Sequence, residues 1–436
     1  MTTILRARVA HTPRDPFAHA DGLETFDDGA VAFESDGTIL ALGPFTTVKQ
    51  HHRDATVVDR RGCIALPGLV DTHVHFPQIA VIGAMGLELL DWLAQRTLPE
   101  EARMADPLHA RRTARRFVNA LAANGTTTAL VFGAHFPAAQ EALFEEAGAA
   151  RLRITSGLVV SDRNLRPDLH TPPAVAYETS TALRERWHGR GRLRYAVTPR
   201  FSVSCSEAML DVCGTLLREA PGALFTSHLN ESEGEIEAVH ALFPGVRDYL
   251  ATYEHAGLVG ERSVLAHNVH PSDDELTRLA AADAAVAHCP SSNAFLASGI
   301  FPMARHVEHG VRFGMGTDVG AGTGLSLLKE GLVSYHVQMV RDDGHPLLPA
   351  HLLHLVTAAG ADALGLADTC GDLTPGKQAD LVLLKAPRGS TLEAVLDEAP
   401  DWNATLGALF TLAREECVVE TRVGGEVVFA RGETRG

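Results

Sequence analysis

Between residues 63 and 316 the apolar positions fall into short unbroken runs, and longer amphipathic stretches separate them. Short apolar runs that are bounded by glycine or polar residues and enriched in β-branched residues predict strands buried on both faces. The first run, 63–70, is bounded by Gly62 and Gly68 and leads into Asp71-Thr-His-Val-His75. Further strands are expected at 126–132, 152–160, 192–198, 223–227, 263–266, 284–287 and 311–316. Helices are expected at 87–95, 107–124 (with Gly125 as the stop), 138–149, 174–187, 206–219, 273–282 and 302–309. More helical material follows the fifth strand to 256 and the eighth to about 366. Eight strands alternating with helices over roughly 300 residues predict an α/β fold, a (β/α)8 TIM-type barrel. An open doubly wound sheet fits less well, because no Gly-x-Gly-x-x-Gly turn is present.

The chain ends follow a different pattern. Candidate strands at 30–33, 38–42 and 55–59 are punctuated by Gly37 and Gly43-Pro44. After the barrel, 371–380 is turn-rich, 381–384 reads as a strand, and 418–429 reads as two strands broken at Gly424-Gly425. The two ends are expected to pair into one small β-sandwich domain. That gives 1–66 as its N-terminal part, 67–370 as the barrel and 371–436 as its C-terminal part.

Composition narrows the function classes. Of 436 residues, 45% are apolar and 21% charged, which excludes a disordered chain. A formal net charge of -16 leaves no basic surplus to neutralise phosphates, so no nucleic-acid partner is expected. The cysteines, at 63, 205, 213, 289, 370 and 417, form no Cys-x-x-Cys pair. Neither a zinc ribbon nor a disulfide framework is expected, and a reducing cytoplasmic setting fits. Residues 1–10 lack an apolar signal core and no run of eighteen apolar residues occurs, so neither secretion nor membrane insertion is expected.

In such a barrel, chemistry collects where the strands end. The first strand ends in His73 and His75, with Gln78 beyond; two residues apart on a strand, the two imidazoles share a face. The fourth ends in Pro199-Arg200-Phe201, the fifth in His228 followed by Glu231, the sixth in His267, the seventh in His288 and the eighth in Asp318. His73, His75, His228 and Asp318 form a donor set for one divalent ion, expected to be zinc with ferrous iron as the alternative. Arg200 stands where a bridging lysine would be needed for two metals. A bound ion would make water reactive at neutral pH, with Asp318 accepting its proton or orienting it. Glu231 is placed to shuttle that proton to a ring nitrogen and a leaving amine. Its competing reading is a helix N-terminal carboxylate facing the macrodipole. His267 can hydrogen-bond the nucleophile or the developing tetrahedral centre. His135 and His288 are expected to be structural, and His51-His52 solvated.

Taken in order, Pro67-Gly-Leu-Val-Asp-Thr-His-Val-His75, Ser227-His-Leu-Asn-Glu231 and Gly316-Thr-Asp-Val319 resemble the amidohydrolase superfamily over nearly the whole chain. Finer motifs are similar to those of the guanine deaminase family. They are His75-Phe-Pro-Gln78, Leu89-Leu-Asp-Trp-Leu93, Thr97-Leu-Pro-Glu-Glu101, Pro199-Arg-Phe-Ser-Val-Ser-Cys-Ser206, His288-Cys-Pro-Ser-Ser-Asn293, Ser298-Gly-Ile-Phe301 and Gly316-Thr-Asp-Val-Gly-Ala-Gly322. The resemblance implies His73, His75, His228 and Asp318 as zinc ligands. It implies Gln78, Arg200, Phe201 and His267 as substrate contacts, Glu231 as proton shuttle, and a homodimer. It also implies hydrolytic deamination of guanine to xanthine and ammonia, a step of purine catabolism. Where the family often carries Tyr-Thr-Phe, this chain has Arg96-Thr97-Leu98, a departure in the loop over the site. The residues agree with guanine: Arg200 offers fixed donors to a carbonyl, Gln78 can donate and accept along a purine edge, and Phe201 offers a stacking face. The alternatives are deamination of another amino-heterocycle (triazine, pterin, adenosyl-type or pyrimidine) and a metal-free barrel used as a scaffold.

Overall fold

The computed structural model describes residues 1–432; the last four residues of the 371–436 segment lie outside the described residues. The chain opens with β1 (Thr3–His11), β2 (Glu24–Phe33), β3 (Ile39–Pro44) and β4 (Thr56–Pro67). The middle of the chain supplies β5 (Leu69–His75), β6 (Thr126–Phe132), β7 (Arg153–Gly157), β8 (Val159–Val160), β9 (Leu193–Pro199), β10 (Leu224–Leu229), β11 (Ser263–His267), β12 (Ala285–His288) and β13 (Arg312–Met315). It closes with β14 (Leu381–Leu384), β15 (Val418–Val423) and β16 (Glu426–Ala430).

The two ends do pair. One mixed sheet runs β16-β15-β14-β4-β1-β2-β3. It folds over a core in which Leu5, Val9 and Phe33 meet Cys63, Ala65 and Leu383, which makes it the sandwich beside the barrel. β1 and the helix Phe45–His51 are additions to the expected elements of the N-terminal segment, as are the helices Thr391–Asp397 and Trp402–Leu412 of the C-terminal one.

The second sheet runs β13-β12-β11-β10-β9-β7-β6-β5, with every adjacent pair parallel. Backbone bonds at the strand exits join its two edges: Asp318 N–H donates to the His73 carbonyl (2.8 Å) and His75 N–H to that of Val319 (3.0 Å). All seven positions of β5 and of β6 are buried. Helices cover the outside, while small interior residues such as Ala196, Ala266 and Ala287 pack around Val70, Leu130 and Leu224. Among the described residues no helix is long and apolar enough to cross a membrane.

Three expected elements are divided. The apolar run 63–70 belongs to two sheets: Ile64 to Pro67 pair with β14 as the end of β4, and the barrel begins at Leu69. Both halves are buried, so hydropathy alone cannot separate them. At the joint, a Cβ on Gly68 would lie 2.3 Å from the Thr127 side chain, so only glycine fits. The expected strand 152–160 breaks at Leu158, whose N–H bonds the Tyr195 hydroxyl (3.3 Å) instead of a neighbouring strand. The expected helix 87–95 is a short turn, Leu89–Trp92, running into a π-helical turn, Leu93–Thr97, and then Leu98–Ala102. Pro99 has no N–H to give the Gln95 carbonyl, so regular α-helical bonding cannot continue through it.

Candidate active site

β5 carries the first two candidate ligands. Its register against β6 shifts between Asp71 and Val74. The extra residue changes the side-chain parity, so that Val70 and then His73 and His75 face the barrel axis. Asp71 locks this bulge: its carboxylate accepts from Thr317 N–H (3.0 Å), Thr317 Oγ1 (2.6 Å) and His73 N–H (3.2 Å). The same bonds fix the strand exit from which Asp318 projects.

The four candidate ligands converge. His75 Nε2 lies 3.1 Å from His73 Nε2 and 3.4 Å from His228 Nε2. Asp318 Oδ1 lies 3.3 Å from His73 Nε2 and 3.1 Å from His75 Nε2. His228 Nδ1 is 2.6 Å from the Arg200 carbonyl, which can only accept, so the ring proton sits on Nδ1 and the Nε2 lone pair faces the cluster. Burial holds the imidazoles neutral: it lowers His73, lowers His75 to about 4 and, joined by the other histidines, lowers His228 well below its ordinary value. Burial pushes Asp318 up, but the His73 and His75 contacts outweigh it and keep the carboxyl ionised. Imidazole nitrogens and a carboxylate oxygen gathered this closely are the donor types that a divalent ion takes. The donor set therefore fits one divalent ion of the zinc type.

His267 joins the same group. Its Nδ1 lies 2.9 Å from Asn293 Oδ1, which leaves Nε2 facing inward, 3.4 Å from Glu231 Oε2 and 3.8 Å from Asp318 Oδ2. His73, His267 and Asp318 form a second trio of ligand atoms close enough to hold an ion, so His267 stands with the donor set as well as beside Glu231. Burial first, then the Asp318 charge, push the Glu231 carboxyl up to about 8. Ser298 Oγ donates to Glu231 Oε1 (3.3 Å). Glu231 does not cap the following helix, Glu233–Leu242; Ser232 does.

Asn230, His267, Asn268 and Asp318 have φ of 49°, 79°, 45° and 46°. Non-glycine residues enter this left-handed region at a cost of order 1–3 kcal/mol each, and such strain concentrates at functional sites. Here it turns three strand ends toward one point. Side-chain bonds hold it, including Asn230 Nδ2 to Asn268 Oδ1 (3.2 Å) and to Glu275 Oε1 (3.0 Å).

The other side of the mouth is ionic. Gln78, Arg200 and Phe201 line a narrow pocket together with His75, His228, Glu231, His267 and Asp318. Leu89, Trp92 and Leu93 cover it, and Leu296 and Ala321 complete the wall. Behind Arg200 sits Glu101, the last residue of the Thr97-Leu-Pro-Glu-Glu101 motif. Burial alone would raise its carboxyl, but Arg200 and His135 outweigh burial and hold it well below the usual carboxylate range. His135, expected to be structural, lies 3.3 Å from Glu101 Oε2. His288 bonds Ser334 (3.1 Å), stacks on Phe301 (4.4 Å between centroids) and does not line the cavity. Asp71, Ser292 (whose hydroxyl donates to Asp318 Oδ2, 2.5 Å) and Asn293 also stood inside quoted motifs, but one sequence gives no signal of their contacts.

A parallel barrel that gathers neutral imidazoles and a carboxylate at the exits of its strands, beside a pocket lined by an arginine, an amide and an aromatic ring, is a metal-dependent hydrolase. The chain belongs to the amidohydrolase family, whose model matches residues 64–428. It is 56% identical over 433 residues to the probable guanine deaminase of Deinococcus radiodurans, covering 98% of this chain and 99% of that protein. The structure of E. coli guanine deaminase superposes with a TM-score of 0.95 at 35% identity, over 99% of this chain and 100% of that one. That of guanine deaminase from Bradyrhizobium japonicum superposes with a TM-score of 0.94 at 32% identity, over 99% and 100%.

Proposed function

We propose that this chain is a guanine deaminase, releasing ammonia from guanine by hydrolysis and leaving xanthine, in purine catabolism. The observation that carries the reading is the pairing, in one buried cavity, of a metal donor set with the Gln78, Arg200 and Phe201 wall. Near-full-length similarity to guanine deaminases supports the same substrate.

A divalent ion held by His73, His75, His228 and Asp318 makes water nucleophilic at neutral pH. The side chains do the rest. Arg200 donates to the guanine carbonyl, Gln78 bonds the adjoining edge, and Phe201 packs against the ring. Together they bring the amine-bearing carbon toward the donor cluster. Asp318 draws the proton from the attacking water, and Glu231 delivers protons to the ring nitrogen and then to the departing amine. His267, with its proton held on Nδ1 by Asn293, offers Nε2 as acceptor beside Glu231. Leu89, Trp92 and Leu93 keep bulk water from the cavity.

The domain division at about residues 66 and 370 agrees with the split of the strands between two sheets. Six buried free thiols support a cytoplasmic setting. The apolar surface of Tyr335, Met339, Val340 and Leu348 supports a homodimer, and the negative charge argues against a nucleic-acid partner. Ammonia release from a panel of purines, pterins and triazines by the metal-replete protein tests the reading. Guanine is expected to give the highest kcat/KM; a higher value on a pterin or triazine contradicts it.

A further inference from the structure

We propose that Glu101 is a positioning residue that sets selectivity for the carbonyl edge of the substrate, acting through Arg200 and Gln78; this rests on the guanine reading above. Glu101 does not line the cavity, whereas Arg200 and Gln78 do. All three side chains are buried, at 5%, 3% and 2% exposure. Glu101 Oε1 accepts from Gln78 Nε2 (2.8 Å) and from Arg200 Nη2 (3.0 Å), and Oε2 lies 3.4 Å from Arg200 Nε.

A donor count shows what this does. Arginine carries five N–H donors and no acceptor. Glu101 takes the Nε and one Nη2 hydrogen on one side of the fork, which leaves the Nη1 side for a ligand. Gln78 is fixed at both ends: one Nε2 hydrogen is on Glu101, and Oε1 accepts from Gly320 N–H (3.1 Å). That leaves Gln78 one free N–H beside a single remaining lone pair of Oε1. With the Nη1 side of Arg200, the wall thus presents an excess of donors. A guanine edge, with a carbonyl oxygen and a ring nitrogen, offers the acceptors that match an arginine fork. A base with an amine in place of that carbonyl meets donor with donor.

The same carboxylate spans the cover. Gln78 and Glu101 stand at the two stems of the segment that carries Leu89, Trp92 and Leu93, so their bond joins the stems over Arg200. In Glu101→Gln one acceptor oxygen becomes an NH2 group. The Gln78 amide then keeps only its Gly320 anchor secure, and the wall loses its excess of donors.

The experiment compares guanine with 2,6-diaminopurine, which keeps the 2-amine but carries an amine in place of the carbonyl. Metal content and thermal midpoint are measured alongside. In Glu101→Gln the ratio of kcat/KM for guanine over 2,6-diaminopurine is expected to fall about 10- to 100-fold, mostly through a higher KM for guanine. In an Arg200→Ala background the same change is expected to add a smaller loss than it causes alone, because only the part that passes through Gln78 remains. Should Glu101→Gln not fold, Glu101→Asp, whose carboxylate is drawn back from both partners, is expected to lower the ratio in the same direction. An unchanged ratio in a folded Glu101 variant, an equal loss of kcat on both bases, or full additivity with Arg200→Ala overturns the proposal. Wild-type protein that releases no ammonia from guanine overturns the functional reading itself.

Discussion

The two sides of the barrel mouth solve opposite electrostatic problems within one cavity. On the histidine side, burial strips protons from imidazoles and leaves lone pairs turned inward, so the side is complete only with a cation. On the arginine side, a buried charge is matched within the protein by Glu101, and the spare donors face the cavity. The contrast separates two tasks. On the proposed reading, the first side makes water reactive and the second decides which ring meets it. Changes on the first should abolish turnover on every substrate, and changes on the second should alter the choice among substrates.

The largest effect is expected from the donor set. His75→Ala or Asp318→Asn should cost at least about 10⁴-fold in kcat on all substrates, with bound metal lost, because the nucleophile depends on the ion. Next comes Glu231→Gln, which should retain the metal while kcat falls roughly 10²- to 10⁴-fold, the usual range for removing a general acid–base group. Metal analysis beside turnover separates these two. Arg200→Ala should cost about 10²-fold in kcat/KM for guanine and much less on a base without the carbonyl. It also leaves the Glu101 carboxylate buried without its arginine, beside only Gln78 and His135, so a lower thermal midpoint is expected.

The smallest effect lies outside the cavity. Burial pushes the Glu330 carboxyl up to about 7, although Ser291 N–H and Oγ donate to it at 3.0 and 2.8 Å. Its folded value exceeds its unfolded one, so the folded state binds more protons between them. The stabilisation this gives is full below about pH 4.5 and is lost as pH rises toward 7, amounting to at most about 3 kcal/mol. Glu330→Gln should therefore lose less in thermal midpoint than the parent between pH 5 and pH 8.

The barrel was legible because its strands are buried on both faces and separated by helices of ordinary length, a pattern that hydropathy records directly. The donor set was legible because chemistry-bearing residues recur at equivalent strand ends. What hydropathy could not show was the division of residues 63–70 between two sheets, since both halves are equally apolar. The strand β1 lacks a long apolar run, and only the alternation of Leu5-Arg-Ala-Arg-Val9 marks it. Within the site, Glu101 and Asp71 escaped a functional assignment for a shared reason. Each acts on a partner far along the chain, Arg200 in one case and Thr317 in the other, and one sequence carries no record of such distances. His267 is expected to bond the nucleophile or the tetrahedral centre as well as the substrate, and its approach to Asp318 depends on a left-handed backbone that strand parity does not anticipate.

The account rests on one ion shared by His73, His75, His228 and Asp318. The most direct test measures metal per chain and guanine turnover together, before chelation, after it, and after zinc is restored. One equivalent of divalent metal, loss of turnover on its removal and recovery on its return are predicted. Undiminished ammonia release from metal-free protein, or a full equivalent of metal retained by His75→Ala and Asp318→Asn, would contradict the account.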